Sequence, residues 1–528
     1  MSPLAQSKTH PSDEDIDALA RHARERGDGV ALRMDGSDEQ MTFRELDRRA
    51  TQVAHWLIAT GLEPEDNIAL LLENRLEYFV IGWGARRAGL YYTPISIHLR
   101  TPEIAYVLQD SEAKLLITSA QWSHNAQEIA NSAQWSGPVY LLDGSPQSGR
   151  LLPEIWDTFD PTQALPQRPV GRDFLYSSGT SGKPKGVKRA LIPYEERLQP
   201  TFETGFFAEQ YGVGPDTIYL SPAPLYHAAP HRFTMRTLEF GGRCIIMPKF
   251  DAERALQLVD QHRCTHSQWV PTMMARMLAL PQSVKDKYDV TSMRTFIHAA
   301  APCPPEVKRG IIEWWGPVVV EYYAGSETVG ITILTSQEWL QHPGSVGRAV
   351  VGTIHIKDEA GQDLPPGEQG MIYFSGTPPF HYHNDPEKTA KAYAPDGAGT
   401  YGDIGHVDAD GYLYLSGRRT DLIISGGVNI YPQEVENLLA TYPGILDVAV
   451  IGIPDADLGQ KVIAVVEVVP GVTAGEAMAQ AIMDHCKQHL ASVKCPKRVD
   501  FIDQLPREAN GKLYKRHLIA EYEKAAQT

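Results

Sequence analysis

Cysteine is scarce in this sequence: five in 528 residues, at Cys244, Cys264, Cys303, Cys486 and Cys495. They are scattered, odd in number, and no two stand as C-x-x-C. That excludes a disulfide framework and points to a reducing compartment, so a cytoplasmic protein is expected. Long apolar runs are also missing. No stretch approaches the roughly 18 uncharged apolar residues that a membrane-spanning helix needs. The opening "MSPLAQSKTHPSDED" has no apolar segment of the secretory kind, so no signal peptide is expected. Positive charge is in short supply, with 49 Lys and Arg against 65 Asp and Glu and a formal net charge of −16. Such a surface does not displace counterions from nucleic acid, so no nucleic-acid partner is expected. A local basic loop can still hold an anion against that field.

What is present is ordinary globular material, 42% hydrophobic and 22% charged, with length for about three or four folding units. Apolar positions in "TFRELDRRATQVAHWLIATG" (42–61) recur at helical spacing, with Gly61 as the expected C-cap. "NIALLLEN" (67–74) and "AKLLITSA" (113–120) are short apolar strands on either side of a helix in "EYFVIGWGARRAG" (77–89). The alternation returns in "RCIIMPKF" (243–250), "AERALQLVDQHR" (252–263) and "VVVEYYAG" (318–325). Strand–helix alternation means an α/β chain with mostly parallel sheet. Two strands around a Gly/Pro turn in 353–376 then suggest antiparallel structure. Beyond Gly417, a helix–strand–strand pattern suggests a small α+β domain. "HRCTH" (262–266) matches no zinc spacing and is read as a helix-to-strand junction.

The chemistry begins at "YSSGTSGKPKGVKRA" (176–190). Its glycines free backbone N–H groups to face an anion, and its lysines add charge. It is not a Walker A loop: after Gly179 come Thr180, Ser181, Gly182, Lys183 and Pro184, and GxxxxGK[ST] is absent. Alone, such a stretch is as readily a surface loop. It is accompanied, in order, by "RAGLYYTPI" (87–95), "APLYHAAPH" (223–231), "EYYAGSETVG" (321–330), "YGDIGHVDADGYLYLSGRRTDLIISGGVNIYPQEVE" (401–436) and "LPREANGKLYKRHL" (505–518). Together these resemble the adenylate-forming superfamily of acyl-CoA synthetases, luciferases and peptide-synthetase adenylation domains. The resemblance covers nearly the whole chain. In the Tyr-Gly-x-Thr-Glu motif, Ala324 and Ser326 stand for the family's Gly and Thr.

The resemblance implies a large N-terminal domain (1–417) of mixed α/β subdomains, with parallel sheets and a β-barrel-like part, and a small mobile α+β C-terminal domain (418–528). It implies that a carboxylate attacks the α-phosphate of ATP, giving acyl-AMP and pyrophosphate, and that coenzyme A then takes the acyl group. The loop residues Ser177, Ser178, Gly179, Thr180, Ser181, Gly182, Lys183 and Lys185, with Ser326, would hold the phosphates. Glu327, assisted by Thr180, would ligate Mg²⁺, which favours one or two carboxylates plus substrate phosphates. Asp403 would take the ribose hydroxyls, and Arg418 the ribose or phosphate. Lys512 would neutralise charge at the α-phosphate. Thr420, where the family usually has Asp or Lys, would be the hinge, with Asp421 the alternative. Gly426 and Gly427 would let a pantetheine arm pass. His227, Trp269, Ala299, Ala300, Ala324 and Gly325 would line the acyl pocket.

No acid stands near His227 to pair with an ammonium group, which argues against α-amino acids. The acid itself is left open between fatty, aryl and steroid-like types, with a larger hydrophobic one favoured. Transfer to a carrier protein and a luciferase-type oxidation are the alternatives to CoA transfer. A homodimer is compatible with the chain, which does not decide its assembly.

Overall fold

The computed structural model describes residues 16–132, 135–144, 151–177, 184–455, 457–507, 513 and 515–527. Chain contacts divide it into two units. The first runs through Tyr176 and adds Lys188–Lys249 and Cys264–His266; the second takes Ser177–Val187, Phe250–Arg263 and Ser267 onward.

In the first unit, five strands form an all-parallel sheet in the order Val139–Leu141, Ala113–Thr118, Asn67–Leu71, Tyr91–Pro94, Arg172–Asp173. Every residue of Asn67–Leu71 is buried, which is why the strand reads as an unbroken apolar run rather than an alternating one. Helix Phe43–Ala59 starts on Thr42, whose side chain accepts from the Glu45 amide, and buries Phe43, Leu46, Val53, Trp56 and Leu57 along one face. Its C-cap is Thr60, and Gly61 follows with φ 85°. Helix Glu77–Ala88 packs against it through Gly84: a Cβ there would stand 2.4 Å from Val53 Cγ1. Strands Val30–Met34, Arg243–Ile246 and Ile218–Ser221 add a second parallel set.

In the second unit, Thr295–His298 lies parallel to Val319–Tyr323. The strands after residue 330 are antiparallel, in the order Val319–Tyr323, Ile331–Thr335, Ser345–Val351, Leu413–Arg418, Asp403–Val407, Gly370–Ser375, Thr353–Lys357. Toward the C-terminus a separate sheet pairs Ile445–Asp455 with Gly459–Val468 antiparallel and adds Arg498–Phe501 in parallel. Helices Pro432–Leu439 and Glu476–His489 contribute Val435, Leu439, Ile482 and Cys486 to its core. The small α+β element expected beyond Gly417 is therefore present. His266 is fully buried and bonds the Tyr211 carbonyl (2.9 Å) and the Thr265 hydroxyl (2.8 Å), so the "HRCTH" segment is a packed junction. All five cysteines are free. Among the described residues no helix is long and apolar enough to cross a membrane.

Candidate active site

The strand Val319–Tyr323 ends where the chain turns back: the Thr328 amide donates to the Gly325 carbonyl (3.1 Å), with Thr328 at φ 53°. Gly325 is required by crowding, since a Cβ there would meet the Tyr401 ring at 2.4 Å. The Tyr401 hydroxyl donates to the Gly330 carbonyl (2.8 Å) and fixes the far side of the turn. Ala324, Ser326 and Glu327 are thereby held half-buried at the end of the sheet.

About 80 residues further along the chain, Asp403 and Arg418 are register partners of an antiparallel pair. Arg418 Nε lies 3.3 Å from Asp403 Oδ1. The Tyr323 hydroxyl donates to Asp403 Oδ2 at 2.6 Å. Burial works against the Arg418 charge, but Asp403 and then Asp421 outweigh it and raise its affinity for the proton. Burial, followed by the Asp403 charge, pushes the Tyr323 phenol well above its ordinary range, so it stays a donor.

Glu327 Oε1 accepts from the Tyr382 hydroxyl at 2.7 Å. The Lys185 ammonium sits 4.8 Å from the centre of the Tyr382 ring. Lys185 begins the strand Lys185–Val187 that leaves the Gly-rich loop, and this strand is stitched to the 380s by a Val187–Tyr382 bridge and by the His383 amide donating to the Gly186 carbonyl (2.8 Å). Burial pulls the Lys185 proton affinity down while Glu327 pulls it up, for a net lowering. The Tyr382 bond orients the Glu327 carboxylate through Oε1. One hard carboxylate oxygen so placed fits Mg²⁺ completed by substrate phosphates.

Of the other expected residues, Ser178, Gly179, Thr180, Ser181, Gly182, Lys183 and Lys512 lie outside the described residues, and Ser177 ends the strand Leu175–Ser177. Ala299 is buried and Ala300 exposed at φ 77°, a left-handed conformation costly for alanine. Trp269 is fully buried and stacks on Phe296 at 5.4 Å, within an aromatic core. Gly426 (φ 56°) and Gly427 (φ 78°) form the two-residue turn between Ile423–Ser425 and Val428–Ile430. That turn needs positive φ at both positions, a second reason for glycine there. Thr420 is exposed in the short turn Arg419–Asp421. His227 belongs to the first unit, where it is the N-cap of helix Ala228–Glu239 with its ring 4.6 Å from that of Tyr226. In that unit the Asn74 amide donates to the carbonyls of Ala223 (3.2 Å) and Met247 (2.8 Å) and its oxygen accepts from the Leu225 amide (2.8 Å), pinning the segment that leads to His227.

Sequence reading passed over Tyr323, Tyr382 and Tyr401, which position Asp403, Glu327 and the turn. Tyr323 stood inside a motif already singled out; Tyr382 lies outside every motif quoted above.

This fold and this site define an adenylate-forming enzyme. The chain belongs to the family described as AMP-binding enzyme, which matches residues 19–380, with the AMP-binding enzyme C-terminal domain matching 434–512. It is 31% identical to the long-chain-fatty-acid–CoA ligase FadD13 of Mycobacterium tuberculosis, covering 92% of this chain and 94% of that protein. It is 32% identical to a feruloyl-CoA synthase of an Amycolatopsis species, covering 94% and 96%. Among solved structures, ATP-bound MatB from Rhodopseudomonas palustris superposes with a TM-score of 0.81 at 30% identity, covering 96% of this chain and 99% of that one.

Proposed function

We propose that this enzyme is an AMP-forming acid:CoA ligase that acts on a carboxylic acid larger than acetate. The observation that carries the reading is the meeting, in one unit, of two differently employed carboxylates. Asp403 is held by Arg418 and Tyr323, and Glu327 is held by Tyr382 beside Lys185. The first suits a ribose diol, which donates two hydrogen bonds. The second suits a metal ion on a polyphosphate. The relatives named for fatty-acid and feruloyl thioesters support CoA as the acceptor.

Mg²⁺ held by Glu327 would neutralise phosphate charge as the acid's carboxylate approaches. Lys185 and the loop from Ser177 to Lys183 would bind the pyrophosphate portion, and Lys512 would meet the charge that develops at the α-phosphate. The acid's oxygen attacks phosphorus and pyrophosphate leaves, giving an acyl-AMP whose leaving group is far better than hydroxide. Residues 418–528 would then turn about Thr420, exchanging Lys512 for the Gly426–Gly427 turn, past which the pantetheine thiol reaches the acyl carbon. The thiol sulfur bonds to that carbon and AMP departs.

The test is a panel of fatty, aryl and alicyclic acids assayed for pyrophosphate release, with and without CoA, and for thioester by mass. Pyrophosphate with CoA-dependent thioester supports the reading. Pyrophosphate without thioester in the presence of CoA would move the acceptor to a carrier protein. Light or oxygen uptake would mark an oxidase.

A further inference from the structure

The second unit buries a charged cluster that the proposed chemistry leaves unused. Lys308, on helix Pro305–Trp315, is 1% exposed, and its ammonium meets Glu321 Oε2 at 2.5 Å. Its Nζ also lies 5.2 Å from the centre of the Trp339 ring. Glu321 is the central residue of the strand Val319–Tyr323 and the register partner of His298 on the parallel strand Thr295–His298. Register partners present their side chains to the same face of a sheet, and His298 Nε2 stands 3.8 Å from Glu321 Oε2. His298 is fully buried, and neither of its ring nitrogens has a hydrogen-bond partner among the described residues. Burial, followed by the Lys308 charge, holds the His298 imidazole well below its ordinary range, so it is neutral. Within the cluster, Lys308 is therefore the cation.

A buried ion pair is a weak source of stability, since apolar residues of similar volume commonly do as well or better. What such a pair supplies is direction: a short charged hydrogen bond holds one orientation where packed methylenes tolerate several. The strand it holds is also pinned at its start. Ser336 Oγ donates to the Val319 carbonyl (2.9 Å) and accepts from the Val319 amide (3.0 Å). Two residues beyond Glu321, on the same face of the strand, comes Tyr323, whose hydroxyl donates to Asp403. Two residues beyond His298 comes Ala300, at φ 77°. A left-handed alanine persists only where its surroundings over-determine it. Both strand ends thus leave from the same buried cluster.

We infer that Lys308 and Glu321 are positioning residues for ATP: their ion pair fixes the height and rotation of the strand end at which Tyr323 orients Asp403. They touch no substrate and act through the Tyr323 hydroxyl. The inference rests on Asp403 serving the ribose diol. It assigns the pair to recognition of the ribose hydroxyls rather than to the stability of the fold.

The experiment measures the dissociation constants of ATP and 2′-deoxy-ATP, each with Mg²⁺, by calorimetry on the full chain. Three variants are compared with wild type. Lys308→Met combined with Glu321→Leu replaces the pair by apolar side chains, Glu321→Gln removes its negative charge at nearly constant volume, and Asp403→Asn alters the carboxylate itself. Wild type should prefer ATP by about tenfold or more. The apolar double variant should melt no lower than wild type yet bring that preference below about threefold, by weakening ATP alone. Added to Tyr323→Phe, it should cost less than about twofold more, because it acts through that hydroxyl. A folded double variant that keeps the wild-type preference overturns the inference. So does an equal loss on both nucleotides, or a loss that adds in full to that of Tyr323→Phe. Should the double variant not fold, Glu321→Gln is judged by the same outcomes; failure of both to fold assigns the pair to stability and overturns the inference. No preference in wild type, or a preference that survives Asp403→Asn, removes the ribose from Asp403, and this inference with it. A preference lost in Asp403→Asn but kept in the ion-pair variants overturns the inference alone.

Discussion

Asp403 is held at both oxygens, by Arg418 and by Tyr323, before any ligand arrives. Preorganisation of that kind saves the cost of ordering a carboxylate when a diol binds. Asp403→Asn should lower kcat/KM for ATP by about 100-fold, and Tyr323→Phe, which removes only an orienting bond, by about tenfold. Initial rates of pyrophosphate release against ATP concentration check both; an unchanged KM for ATP in both variants would remove the ribose from this pair. Ala324 sits three residues before Glu327, where its small side chain was expected to line the acyl pocket. With one methyl here the wild type should be poor on acetate. Each added methylene should contribute about 0.8 kcal/mol until the pocket ends. Ala324→Trp should shift preference toward short acids while leaving the KM for ATP in place. Retained activity on the best large acid would move the pocket floor elsewhere.

Among the elements, the turn Arg419–Asp421 joins the strand that carries Arg418 to the C-terminal sheet. Proline fixes φ and restricts the residue before it, so Thr420→Pro should hold the chain in one of its two arrangements. One half-reaction should then fall at least tenfold more than the other. Stopped-flow measurement of adenylate formation and of thioester formation from supplied acyl-AMP separates them. Equal, near-wild-type rates would shift the hinge to Asp421. Lys512→Ala should act on one half only, reducing adenylation by about 100-fold while thioester formation from acyl-AMP is largely kept. Equal losses would end its assignment to the first step.

At the scale of the molecule, the first unit is tied together by a charge network around Glu203. Arg172 (2.6 Å), Arg189 (2.6 Å) and Arg236 (3.4 Å) reach Glu203. Arg189 and Arg232 reach Asp173. Burial favours the neutral Glu203, but the three arginines outweigh it and bring its value down from 4.5 to about 2. The folded state therefore binds this proton less readily than the unfolded one. The stability is present above about pH 4.5 and is lost as pH falls through about 2. Melting temperature should fall over that window. Glu203→Gln should cost about 3 kcal/mol at neutral pH, because it strands guanidinium groups, and should flatten the acid dependence. An unchanged slope would assign the acid response to other groups.

The alternation of strand and helix, a turn to antiparallel strands (which already begins at Ile331) and a small α+β sheet toward the C-terminus were legible in the sequence, because hydrophobic period and turn residues are local properties. Glu327, Asp403, Arg418 and Lys512 were legible only through motif context: an acidic residue beside a glycine has many ordinary uses. The partners of the first three were not legible. Tyr323 meets Asp403 across 80 positions and Tyr382 meets Glu327 across 55, and a tyrosine's hydroxyl carries no local sign of what it will donate to. The sequence by itself determined the family's chemistry, through short stretches whose spacing is set by the backbone. The tertiary structure alone decided which buried donors are satisfied and which are left open, because that depends on groups brought together from distant parts of the chain.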